Sequence, residues 1–71
     1  MLWKEIREYL EQNHISQVWL SKESKIGQVA LNAILTGNRR LQLDEYLKIC
    51  LALKVSLYTF IPEELRKLLI A

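Results

Sequence analysis

Apolar residues along the chain recur three and four positions apart, the repeat of helices with one buried side. Leu2, Ile6, Tyr9, Leu10 and Asn13 fall on one side of a first helix, which ends near Asn13 and His14. Ser16 follows as an N-cap, because its hydroxyl can accept from a free backbone N–H of the next turn. A second helix then spans about Gln17 to Ser24. Lys25 and Ile26 make a short break, Gly27 serves as the next cap, and a third helix runs to about Thr36. Gly37 occupies the position after that helix where a left-handed backbone is wanted. After the polar loop Asn38-Arg39-Arg40, a fourth helix covers Leu43 to Leu53. Its predicted inner side is Leu43, Tyr46 or Leu47, Cys50, Leu51 and Leu53. Asp44 and Glu45 sit at its positive end. Ser56 caps a short turn over Leu57 to Phe60, and Pro62 opens a last helix with Glu63 and Glu64 early and Arg66 and Lys67 late, the order its dipole favours. The predicted core is Leu20, Ile26, Leu31, Ile34, Leu47, Leu51, Leu53, Val55 and Phe60.

Two glycines and one proline in 71 residues leave few tight turns for a sheet, so the pattern reads as all-α. The length allows one domain with a small core. Hydrophobic residues at 51% and charged residues at 25% fit a folded globule rather than a disordered chain. No repeat, linker or low-complexity tract interrupts it. Consecutive helices around a break of three or four residues form a helix-turn-helix, with the apolar Ile26 in or beside the turn.

Charge sharpens this picture by its placement. The net charge is only +2. Residues 1–15 hold two basic against three acidic side chains, residues 16–48 five against three, and residues 49–71 three against two. Between Ser24 and Leu43 there is no acid, while Lys25, Arg39 and Arg40 are present. The basic character therefore centres on the helix-turn-helix and points weakly to an anionic partner.

Catalytic and metal chemistry find no footing in the pattern. The single Cys50 excludes an intrachain disulfide and a cysteine-based zinc site, and is expected to be a packed thiol. A reducing cytoplasm fits best. His14 is the only histidine and has no cysteine near it, so neither a catalytic dyad nor a metal centre is expected. The acids are spread over helix surfaces, and no glycine-rich phosphate loop exists. No apolar run reaches the length of a membrane span, and the N-terminal ten residues lack the apolar core of a targeting peptide. Neither an enzyme nor a cofactor is expected.

The stretch SQVWLSKESKIGQVALNAILTG resembles the helix-turn-helix of the phage repressor and Cro family. In that pattern a polar cap, Gln, two variable residues, Leu, a small residue, three variable residues, a turn, an apolar residue and a cap precede a recognition helix ending in Gly. Here those places hold Ser16, Gln17, Val18-Trp19, Leu20, Ser21, Lys22 to Ser24, Lys25, Ile26, Gly27 and Gln28 onward to Gly37. LDEYLKICLALKVSLYTF resembles the family's fourth helix and following turn. Together with GQ, NAIL-TG, LKVS and FIPEELRKL, these features are similar to the lambda-repressor-like branch over roughly residues 5 to 68. Two departures stand out. The turn position usually held by Gly is Lys25, which a left-handed backbone would penalise by about 1 kcal/mol. The family's frequent glutamate near the end of the third helix is Leu35, so its buried ion pair is absent.

The resemblance implies an all-α, lambda-repressor-like helix-turn-helix domain of five main helices, spanning residues 1–71, with a C-terminal helix at 62–71 used in dimerisation. It implies a sequence-specific DNA-binding transcriptional regulator, a repressor of phage or mobile-element type, whose recognition helix at about 27–36 enters the major groove of a palindromic operator. Gln28 would read a base, since its amide can pair bidentately with adenine. Val29, Asn32 and Ala33 would share the groove-facing side. Val29 or Ala33 would touch a thymine methyl, though for Asn32 and Ala33 plain helix surface or packing is an equal reading. Gln17, Thr36, Asn38, Arg39 and Arg40 would meet phosphates of double-stranded DNA. Tyr58, Ile61, Leu65, Leu68 and Leu69 would form a homodimer interface, the alternative being that these residues cap the monomer's own core. A competing class is a protein-interaction module of antitoxin or anti-repressor type, which would use Val18 and Trp19, joined by Trp3 if they form one exposed patch.

Overall fold

The computed structural model describes residues 2–70, with side chains described as far as Leu68. Five helices follow one another: α1 (Leu2–Gln12), α2 (Gln17–Ser24), α3 (Gln28–Leu35), α4 (Leu43–Leu53) and α5 (Glu63–Ile70). Among the described residues there is no strand, and no helix is long and apolar enough to cross a membrane. The principal packings are α2 against α4, α2 against α3, and α1 against α3. The pair α2–α3 is thus held between the first and fourth helices.

Helix boundaries follow local chemistry. Ser16 caps α2 with an extended backbone, and its Oγ accepts from the Trp19 N–H at 3.0 Å. The ends of α1, α3 and α4 close alike, each turning through one left-handed residue: His14, Gly37 and Lys54. At each the next N–H reaches back to a carbonyl of the last turn, as in Ile15 to Leu10, Asn38 to Ala33 and Val55 to Cys50. Two of these three residues carry side chains where glycine is the usual choice.

The core joins Ile6 and Leu10 of α1, Leu20 of α2, Ile26 of the turn, Leu31, Ile34 and Leu35 of α3, Tyr46, Ile49 and Cys50 of α4, and Phe60. The Tyr9 ring meets Phe60 edge-on at 5.4 Å between centroids. Leu20, Ile26, Leu31, Ile34 and Phe60 are buried as expected, with Leu53 and Val55 packed at the rim. On α4 the expectation holds for Tyr46, Cys50 and Leu53 and fails for the other leucines. Leu43 and Leu51 are 74% and 75% exposed, and Leu47 is exposed as well. The true inner stripe is Glu45, Tyr46, Ile49 and Cys50. Apolar residues surround α4, so spacing admits two stripes. The Tyr46 phenol then decides, because it must reach a carbonyl and donates to Leu57 O. Burial raises the Tyr46 hydroxyl from its ordinary 10.0 to about 12, with the adjacent Cys50 thiol adding to the effect. Burial also pushes the Cys50 thiol up, opposed by its contact with Tyr46.

Candidate nucleic-acid interface

The turn between α2 and α3 sets the angle at which the third helix is presented. Lys25 ends α2 with φ of 62°, the left-handed conformation. Two buried serines fasten the chain around it. The Ser21 hydroxyl donates to Ile26 O at 2.5 Å, and the Ser24 hydroxyl donates to Leu20 O at 2.6 Å while its oxygen accepts from the Ile26 N–H at 3.4 Å. Ile26 itself is buried. The small residue expected at position 21 is therefore a structural tie, and Ser24 is a second tie that spacing alone did not mark.

Gly27 caps α3 with no side chain and open space around its α-carbon, so the first turn of α3 is unobstructed. Gln17, Val18, Gln28, Val29 and Asn32 line one open depression between the starts of α2 and α3. Gln28 and Asn32 are exposed, and Val29 is 88% exposed. Asn32 Nδ2 donates to Gln17 Oε1 at 3.4 Å, linking side chains 15 positions apart. Ala33, by contrast, is half-buried. Val18 belongs to this depression, a placement the sequence reading missed when it paired Val18 with Trp19. Alternation of faces on a short helix could have shown it, since neighbours 18 and 19 point about 100° apart.

The loop after α3 forms a second cluster. Thr36 Oγ1 donates to Asn32 O at 2.9 Å and accepts from Asn38 Nδ2 at 3.1 Å. Gly37 has φ of +80°, and a Cβ there would lie 2.7 Å from the Trp3 ring. The indole of α1 thus lies directly on the loop, in a cleft shared with Arg39, Arg40 and Leu41. Trp3 belongs to this cleft, whereas Trp19, 43% exposed, lies on α2. Arg39 pairs with Glu45 at 2.7 Å, and Glu45 also accepts from the Gln42 N–H at 3.0 Å, tying the loop to the first turn of α4. The Glu45 side chain is only 11% exposed, that of Arg39 41%. Among the described residues Arg40 is exposed and has no acidic partner.

Tyr58, Leu65 and Leu68 are 45%, 50% and 72% exposed, Ile61 is half-buried against the core, and the Leu69 side chain lies outside the described residues. No curated protein and no solved structure matches the chain significantly. The family model HTH_3, described as helix-turn-helix, matches residues 6–60, which take in the latter part of α1, all of α2 to α4 and the turn that follows. With the tied turn, the capped α3 and the polar face at its start, that match makes the chain a member of the helix-turn-helix family of DNA-binding transcription regulators.

Proposed function

We propose that the protein is a repressor that occupies a palindromic operator as a homodimer, reading each half-site with α3. The observation carrying this reading is the open face at the start of α3, where exposed Gln28, Val29 and Asn32 stand beside Gln17 with no core role to explain them. Gln28 reads adenine through its amide. Val29, a nearly bare valine, gains most by covering a thymine methyl, with Ala33 a lesser contributor from its half-buried place. Asn32 bonds a base edge, steadied by Gln17, whose own amide lies at the start of α2 and meets a phosphate. Thr36 and Asn38 meet the backbone through their linked polar ends. Arg40 is the unpaired cation of the loop, and Arg39, oriented by Glu45, offers its exposed part to a neighbouring phosphate.

With a net charge of only +2, one monomer neutralises few phosphates, so two copies are needed for useful affinity. α5 with Tyr58 and Ile61 supplies the contact, placing recognition helices one DNA turn apart, ~34 Å. The test is selection from random duplex DNA, then titration of the enriched duplex at two salt concentrations. A palindrome with half-sites one turn apart, bound more weakly in salt and read without discrimination by Gln28→Ala, is the expected result. A folded protein that enriches no sequence and binds DNA without salt dependence would sink the reading, and a protein-binding role on the Trp19 side of α2 would replace it.

A further inference from the structure

α4 and α5 each present an apolar face that the monomer leaves uncovered. On α4, Leu43 and Leu51 are 74% and 75% exposed, with Leu47 one turn from each. On α5, Leu65 and Leu68 are 50% and 72% exposed, and α5 takes part in none of the principal helix packings. The two faces match in length. The α4 stripe spans eight steps and α5 has eight residues, ~12 Å in each case.

They also match in charge. Beside the α4 stripe stand Asp44 and Lys48, four residues apart and joined only by an exposed pair at 4.0 Å, too weak to hold them against a better partner. At the C-terminal end Lys25, Lys48 and Lys54 line a groove with Leu51 and Ala52, outnumbering its one acid, Glu23. α5 opens with Glu63 and Glu64 and carries Lys67 in its last turn. Each helix thus runs from acid to base along a similar length. Side by side in the same direction they would repel; in opposite directions each acid meets a base, and the helix dipoles also oppose favourably.

We propose that α5 of one copy docks antiparallel on the Leu43–Leu51 stripe of a second copy, and that two chains exchange these helices about a two-fold axis. This rests on the dimeric reading above and names the surface that receives α5. Leu65 and Leu68 cover Leu47 and Leu43, Glu64 faces Lys48 of the other copy, and Lys67 faces its Asp44. Each contact occurs twice, as a two-fold interface requires.

The test is sedimentation equilibrium of the full chain, wild type against Lys48→Glu, Glu64→Lys, their combination, and Leu43→Lys. All three positions are exposed, so the helical circular-dichroism signal should stay unchanged. The wild type should dimerise. Each single charge reversal should weaken the dimer at least tenfold, the combination should return it to within about threefold, and Leu43→Lys should abolish it. A dimer indifferent to Lys48→Glu and Leu43→Lys would overturn the exchange while leaving a dimeric repressor standing. Charge reversals that weaken the dimer but fail to rescue each other would overturn the proposed pairing. A wild type that stays monomeric at all concentrations would overturn both.

Discussion

Lys25 is the residue on which the presentation of α3 turns, and it holds a left-handed backbone at φ of 62°. An L side chain there costs about 1–2 kcal/mol, part of which glycine would return to the unfolded chain as entropy. Lys25→Gly should therefore stabilise the fold by about 0.5–1 kcal/mol in urea denaturation. Ser21→Ala should do the reverse, by about 1–3 kcal/mol, because it strips the buried Ile26 carbonyl of its hydroxyl donor. Tyr46 makes a pH prediction. Its pKa lies higher folded, at about 12, than the ordinary 10.0, so the folded state holds the proton more tightly. The stability this gives is complete below pH 10 and is lost as pH rises toward 12, about 2–3 kcal/mol in all. The raised Cys50 thiol acts with the same sign from lower pH. Denaturation midpoints between pH 8 and 12 should show the fall, and Tyr46→Phe should flatten its upper part. Some of this scale is readable from composition alone. Ser16 and Gly37 announce themselves, because a hydroxyl or a missing Cβ is what their positions require. His14 and Lys54 do not, because the left-handed state there is imposed by the packing on either side.

At the scale of elements, the bounds of α2 and α4 were legible to the residue and those of α3 to within one, whereas the facing of α4 was legible only in part. Short helices between a serine cap and a glycine have only one way to bury Leu20, Leu31 and Ile34. α4 is apolar on nearly every side, so its burial depends on partners the periodicity does not show: the carbonyl that Tyr46 reaches, and Glu45 serving both Gln42 and Arg39. The candidate site divides similarly. Gln28 and Asn32 stood out by spacing within the family pattern, whereas Val18 entered the groove and Trp3 the loop cleft only through the fold. The two arginines should then separate experimentally. Arg40→Ala should weaken binding evenly across operators and lower the salt slope by about one, the mark of a lost phosphate contact. Gln28→Ala should instead cost about 1–3 kcal/mol of discrimination at one base pair and leave that slope intact.

For the molecule as a whole, fold class was plain from the helical repeat and the scarcity of turn residues, because nothing but helices could bury so regular a stripe. What the totals concealed is how the parts are coupled. The N-terminal helix does not merely fill the core: its Trp3 ring rests on Gly37, at the turn leaving α3, beside Arg39 and Arg40. Adding even a methyl there drives a Cβ into the indole. That arrangement gives the protein an optical reporter of its own. An indole seated in the loop proposed to meet the phosphates should change its emission when an operator arrives, with no dye attached. A Trp19→Phe variant, leaving Trp3 as the sole tryptophan, would turn each binding event into a shift of colour or intensity that could be followed in real time.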